Sequence, residues 1–268
     1  MSRVFLLLTL AVFICQCRGS SKGSSLQTET ASNMPVMNEE LTDFLPQGIR
    51  TLMFVYADCV TGYVDGYLLM ADGERILYDD GVEKDFATML DNSDPQDMFI
   101  MPYDTLGEKP RYLSDAGRSR CEQLFKNMYG HSEAEVQKRL TTVEWFGQKI
   151  RFSPVNGCAD SLRSVVRELT SHSELLPYVR QASSFYWRTV LGAKRQSAHS
   201  YGIAIDINTS FSNYWLWSNP GAKETDTIRY LNRIPLELVH IFEKHGFIWG
   251  GRWYHYDTMH FEFRPELL

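Results

Sequence analysis

Two histidines and two aspartates in the last third of this 268-residue chain, His199, Asp206, Asp257 and His260, have the types and spacing to hold a metal beside a base. The stretch "SAHSYGIAIDIN" (197–208) alternates as a strand does, so Ile203, Ile205 and Ile207 share one face while Ala204, Asp206 and Asn208 share the other. The isoleucines suit a core. Asp206 then faces the opposite side, beside an alanine small enough to leave room. His199 comes from the loop just before the strand, and Gly202 lets that loop fold back. In "HFEFRPELL" His260, Glu262 and Arg264 share one face and Phe261 and Phe263 the other. If the two strands pair, His199, Asp206 and His260 meet. Two neutral imidazoles and one carboxylate make a three-ligand zinc set, one ion per chain, with the fourth tetrahedral position left for water.

Zinc lowers the pKa of its water to about 7, and peptide hydrolysis also needs a base. Asp257, three residues before His260, is the candidate. Negative charge on the carbonyl oxygen calls for a fixed cation, and Arg188 in "FYWRTV" is placed for it. Ser197, His255 and Glu262 are candidates for substrate contact or support of the ligands. His255 would point the same way as Asp257 in an extended segment, and a structural hydrogen bond is its alternative role. Glu262 could orient a ligand from behind or form a surface salt bridge. Tyr214, Trp215 and Trp217 could line a groove or pack inside. His240 and His245, five apart, fall on different helix faces outside any H-E-x-x-H motif; His245 suits a helix C-terminus instead.

These residues resemble the zinc D,D-carboxypeptidases, D,D-dipeptidases and L-alanyl-D-glutamate endopeptidases that cut peptidoglycan stem peptides. The family pattern S-x-H-x-x-G-x-A-x-D is matched by Ser197, His199, Gly202, Ala204 and Asp206, and "DTMHFEF" matches its second pattern. The resemblance covers about residues 150 to 268. It implies zinc on His199, Asp206 and His260, Asp257 as base, and an arginine carried by "FYWRTVLGAKRQSAH". An aspartate rather than a glutamate at the base position resembles the endopeptidase branch, with removal of a terminal D-alanine as the alternative. A reading from another class is a non-catalytic, zinc-stabilised cell-wall binding module.

The elements that must present these residues follow from periodicity. "ADSLRSVVREL" puts Leu162, Val165, Val166 and Leu169 on one helix face. "IPLELVHIFEKHGF" is a second amphipathic helix, with Pro235 suited to its first turn and Gly246 to its end. Upstream, helices are expected around 119–128 and 132–140, and "VEWFGQKIRF" reads as two strands joined through Gly147. "GYLLMADGERILYDDG" gives strand-like runs broken at Asp72-Gly73 and Asp80-Gly81. The Asp79-Asp80-Gly81 cluster lacks a full calcium loop and reads as a turn. The order of elements predicts an α+β fold: a mainly antiparallel sheet with flanking helices carrying the zinc site at 156–268, preceded by a smaller mixed α/β region at 46–155.

Composition sets the outer bounds. With 44% apolar and 13% aromatic residues the chain can bury a core. Its net charge of −6 carries no basic run that could neutralise a phosphate backbone, which argues against nucleic acid as a partner. Arg3 followed by the apolar run Val4 to Ile14 reads as an export signal over 1–17, with Cys15 and Cys17 placed for lipidation. Residues 18–45, rich in Ser, Gly and Thr, read as a flexible tether. The expected location is the bacterial cell envelope or periplasm, with an N-terminal lipid as the membrane anchor. Beyond the signal, Cys59, Cys121 and Cys158 are odd in number and widely spaced, leaving disulfide pairing open.

Overall fold

The computed structural model describes residues 44–107 and 109–268. The expected export signal, and all of the expected tether except Phe44 and Leu45, lie outside the described residues. Among the described residues no helix is long and apolar enough to cross a membrane.

The described residues open with helix α1 (Gln47–Val55), whose buried Ile49 and Leu52 face the core, and run into the antiparallel meander β1 (Val60–Val64), β2 (Tyr67–Met70) and β3 (Arg75–Leu77). The β2–β3 connection falls at the expected Asp72-Gly73, where Asp72 accepts the Glu74 N–H. The second expected turn also forms, with Asp79 and Asp80 accepting the N–H groups of Gly81 and Val82. A lysine occupies the position a cation would take there: Lys84 Nζ lies 2.8 Å from Asp80, 3.2 Å from Asp94 and 2.6 Å from Asp97.

Helix α2 (Phe86–Asp91) is capped by Asp85, which accepts the Thr88 N–H. After a long irregular stretch come α3 (Glu122–Tyr129) and α4 (Glu133–Arg139). Ser132 caps α4 by accepting the Glu135 N–H, while the Glu135 carboxylate reaches back to the His131 N–H. The hairpin β4 (Thr141–Trp145) and β5 (Gln148–Phe152) turns at Phe146-Gly147, and its inward residues Val143, Trp145, Ile150 and Phe152 are buried.

Helix α5 (Cys158–Leu169) buries Leu162, Val165 and Leu169 of the expected stripe, with Val166 half-buried against the core, and adds Cys158 and Ala159 to the buried face. It packs on β4 and on α6 (Leu236–Lys244). Pro235 is the residue just before α6 rather than a member of its first turn. His245 ends α6 as expected but also crosses to α5, with its Nε2 2.8 Å from Glu168.

Three short strands complete the fold: β6 (Ala204–Asp206), β7 (Phe247–Trp249) and β8 (His260–Phe263), with β8 in the centre and both pairings antiparallel. The strand expected to run through "HFEFRPELL" stops at Phe263, because Pro265 has no N–H to extend a ladder and starts a turn over Pro265–Leu267. The fold is therefore α+β with small antiparallel sheets. One hydrophobic core runs from Ile49 and Tyr56 through Phe125, Trp145 and Leu162 to Phe261 and Phe263. At its centre Phe242 of α6 stacks on Phe261 of β8 with ring centroids 3.9 Å apart. Cys59, Cys121 and Cys158 are free thiols.

Candidate metal centre

The pairing of β6 with β8 sets Asp206 directly opposite His260. Residues facing each other across an antiparallel pair lie about 5 Å apart and share a face, so carboxylate and imidazole meet as the alternation requires. The third member arrives on a turn. Ala198–Tyr201 form one short helical turn that ends at Gly202, whose φ of 67° swings the chain into β6. A Cβ at Gly202 would stand 2.5 Å from Leu140 Cδ2 and 3.3 Å from the Ser153 N–H nitrogen, so both conformation and space demand glycine.

His199 Nε2, Asp206 Oδ1 and His260 Nδ1 stand 3.1 to 3.2 Å from one another. The outer ring nitrogens explain why these atoms converge. His199 Nδ1 lies 2.7 Å from the Ser184 carbonyl and must donate to it, which leaves Nε2 as a lone pair. His260 Nε2 lies 3.0 Å from Glu262 Oε2 and donates in turn, which leaves Nδ1 as a lone pair. With both rings neutral, two imidazole lone pairs and a carboxylate oxygen point at one another with no hydrogen between them. A cation resolves that conflict. Atoms at zinc-ligand distance from one tetrahedral centre stand roughly 3.3 to 3.6 Å apart, close to the spacing seen. The donor set, and the oxygen acceptors behind both rings, fit a zinc ion.

The electrostatics agree with that demand. Burial alone would lower the His260 imidazole, but hydrogen bonds to Asp206 and Glu262 carry it up to about 10. Burial opposes ionisation of Asp206 as well, yet the neighbouring His199 and His260 hold its carboxyl far below the usual range. The cluster is built to carry positive charge.

Asp257 lies beside it. Its Oδ1 is buried without a hydrogen-bond partner, and burial first, then the Asp206 charge, push its carboxyl up to about 7. The backbone is fixed on two sides, by the Asp257 N–H to the Gly250 carbonyl at 3.0 Å and by a bridge to Tyr214. A buried carboxylate oxygen with nothing to accept from is suited to taking a proton.

Cluster and aspartate open into a groove of about 450 Å³. Ser197, Arg188, Tyr214, Trp217, Trp253 and His255 are among its walls. Arg188 is exposed at the groove, and its segment is tied to the His199 turn through Ser197 N–H to the Arg188 carbonyl and through Ser200 Oγ. Of the aromatic trio, Trp215 is packed inside while Trp217 remains exposed.

Glu262 and His255 are both buried. Glu262 is completely buried, not a surface residue, and backs His260. His255 lines the groove, but its Nδ1 lies 2.5 Å from Asp115 and its Nε2 2.8 Å from the Glu224 carbonyl, so both ring nitrogens are engaged. Sequence reasoning missed Asp115, Arg118 and Arg120. All three come from the irregular stretch before α3, where no periodicity marks a buried side.

Among the described residues two other groups of potential ligands, His172 with Glu174 and Glu237, and Asp79 with Asp80 and Asp94, lie largely at the surface. No curated protein and no solved structure matches the chain. Residues 191–263 match the model of a peptidase family described as D-alanyl-D-alanine carboxypeptidase, and that segment holds the His199 turn, β6 and β8, the elements that assemble the cluster.

Proposed function

We propose that this chain is a zinc-dependent metallopeptidase acting on peptidoglycan stem peptides. The observation that carries the reading is the convergence of His199 Nε2, Asp206 Oδ1 and His260 Nδ1 beside Asp257, whose Oδ1 is buried without a hydrogen-bond partner, in the lining of one groove. The family match of residues 191–263 supports the peptidase class and its cell-wall substrate.

His199, Asp206 and His260 would hold the ion. Zinc bound there supplies Lewis acidity to a water and to the scissile carbonyl. Asp257 would take the proton from the attacking water and return it to the leaving amine, a role that its buried, unpartnered Oδ1 suits. Arg188, on the groove wall, stabilises negative charge on the carbonyl oxygen. The Ser184 carbonyl and Glu262 keep the two imidazoles in the tautomers that ligation needs.

For the bond cut we favour the L-alanyl-D-glutamate linkage, because the base is an aspartate. The family description favours the second reading, removal of a terminal D-alanine. Mass spectrometry of digested muropeptides separates them: the first cut frees a peptide from the muramoyl L-alanine, the second shortens the stem by one alanine. A chelator should stop either reaction. A protein that holds one zinc per chain yet turns over no muropeptide would instead be a binding module. For its location we propose the bacterial cell envelope, with 1–17 as export signal and an N-terminal lipid as tether.

A further inference from the structure

Behind the candidate metal cluster lies a second, buried layer of charge, Glu262 with Arg264 and Arg120, to which the upstream half of the chain contributes Arg120. Glu262 is closed off from solvent, and its two oxygens accept from three side chains. Oε1 takes Arg264 Nη1 at 2.9 Å and Arg120 Nη1 at 3.3 Å; Oε2 takes Arg120 Nη1 at 3.1 Å and His260 Nε2 at 3.0 Å. That fills the roughly four acceptor sites of a carboxylate.

Arg120 does more than balance this charge. Its Nη1 also donates to the Gly117 carbonyl at 3.0 Å, and its Nη2 reaches the Gln196 carbonyl at 3.3 Å. Gln196 immediately precedes Ser197 and the His199 turn. One guanidinium therefore touches the residue that orients His260 and the backbone that delivers His199. The side chain is only 7% exposed, so these contacts have little competition from water. A planar fork can bridge two acceptors in fixed directions, whereas an ammonium on a flexible stem cannot.

We propose that Arg120 is a positioning residue for the metal centre, setting the separation of its His260 arm from its His199 arm through Glu262 and the Gln196 carbonyl. It lies outside the segment that matches the peptidase family, so the family pattern does not contain it. The proposal rests on the zinc reading above.

The test measures zinc affinity by competition with a chromophoric chelator, alongside thermal melting of the metal-free protein. The full-length chain is used, with Arg120→Met, Arg120→Lys, Glu262→Gln and the Arg120→Met/Glu262→Gln double variant. Loss of a partner behind a ligand typically costs 10- to 100-fold in metal affinity. Arg120→Met is expected to lose that much and to melt lower, since it leaves Glu262 with less cation. The double variant removes both charges, so its melting temperature should recover, and its zinc affinity should fall below that of Glu262→Gln alone because the Gln196 contact is lost as well. A purely structural role predicts that the double variant binds zinc as tightly as Glu262→Gln, and that result overturns the proposal. Should Arg120→Met not fold, Arg120→Lys decides, because it keeps the charge but not both contacts: at least a threefold loss supports the proposal, and wild-type affinity overturns it. If the wild-type chain itself binds no zinc, the metal reading falls and the proposal with it.

Discussion

Glu262 stands two residues beyond His260 on β8 and accepts its Nε2 hydrogen at 3.0 Å, so the opposite ring nitrogen is turned to Asp206 and His199. Residues i and i+2 of a strand share a face as a matter of geometry. Burial of both converts that adjacency into a fixed ring orientation.

Removing the carboxylate charge by Glu262→Gln leaves Arg120 buried opposite a neutral amide. Breaking a buried pair in this way typically costs about 3 to 5 kcal/mol, and Arg264, which also binds Glu266, softens the loss. We expect about 3 kcal/mol of destabilisation in urea unfolding of the metal-free protein. A change below 0.5 kcal/mol would show that the charge layer contributes nothing.

Asp257 and Asp206 separate by what they do. Asp257→Ala should keep zinc and lose hydrolysis by about 10²- to 10⁴-fold, the usual contribution of a positioned base. Asp206→Ala should lose both. Metal content by atomic spectroscopy and turnover of muropeptides, measured on the same preparations, check the two outcomes. Normal turnover in Asp257→Ala removes it as the base.

Gly202→Ala places a methyl against Leu140 and the Ser153 backbone at a positive φ. Strain of this kind costs of order 1 to 3 kcal/mol. The turn that carries His199 must shift to relieve it. We expect weaker zinc binding together with a lower melting temperature, whereas Gly221→Ala, with open space around its Cβ, should cost stability through its φ alone and leave zinc affinity intact.

Stability should fall in acid in a way traceable to Asp115. Burial would raise this carboxyl, but the Arg118 charge and hydrogen bonds from His255 bring it down to about 2. A folded-state pKa below the unfolded value of about 3.9 means the group stabilises the fold above pH 4. That contribution, of order 2 to 3 kcal/mol, is lost as pH drops from 4 towards 2. Asp115→Asn should flatten this part of the pH dependence in urea titrations between pH 7 and pH 2.5. An unchanged slope would count against the assignment.

Much of the centre was legible because strands have a period of two. The alternation in 203–208 and 260–264 alone puts Asp206, His260 and Glu262 on one side, and the observed register brings them face to face. Helix α5 was readable for the same kind of reason, through its 3.6-residue stripe. Arg120, Arg118 and Asp115 were not. Their segment has neither period, and their burial follows from partners more than 100 residues away, Glu262, Glu224 and His255. The end of β8 at Phe263 shows a smaller limit: the apolar pattern was read past a proline that could not extend the ladder.

The buried contacts of Arg120 with Glu262 and of Tyr56 with Glu266 span 142 and 210 residues of sequence. Loops of that length close late, after local helices and hairpins have formed. The charge layer behind the cluster therefore draws on both ends of the described fold. A fragment starting at residue 156 would carry every candidate ligand named above and still leave Glu262 with His260 and Arg264 but without Arg120, so a gene trimmed to the segment that resembles the peptidases should yield a protein that binds metal poorly.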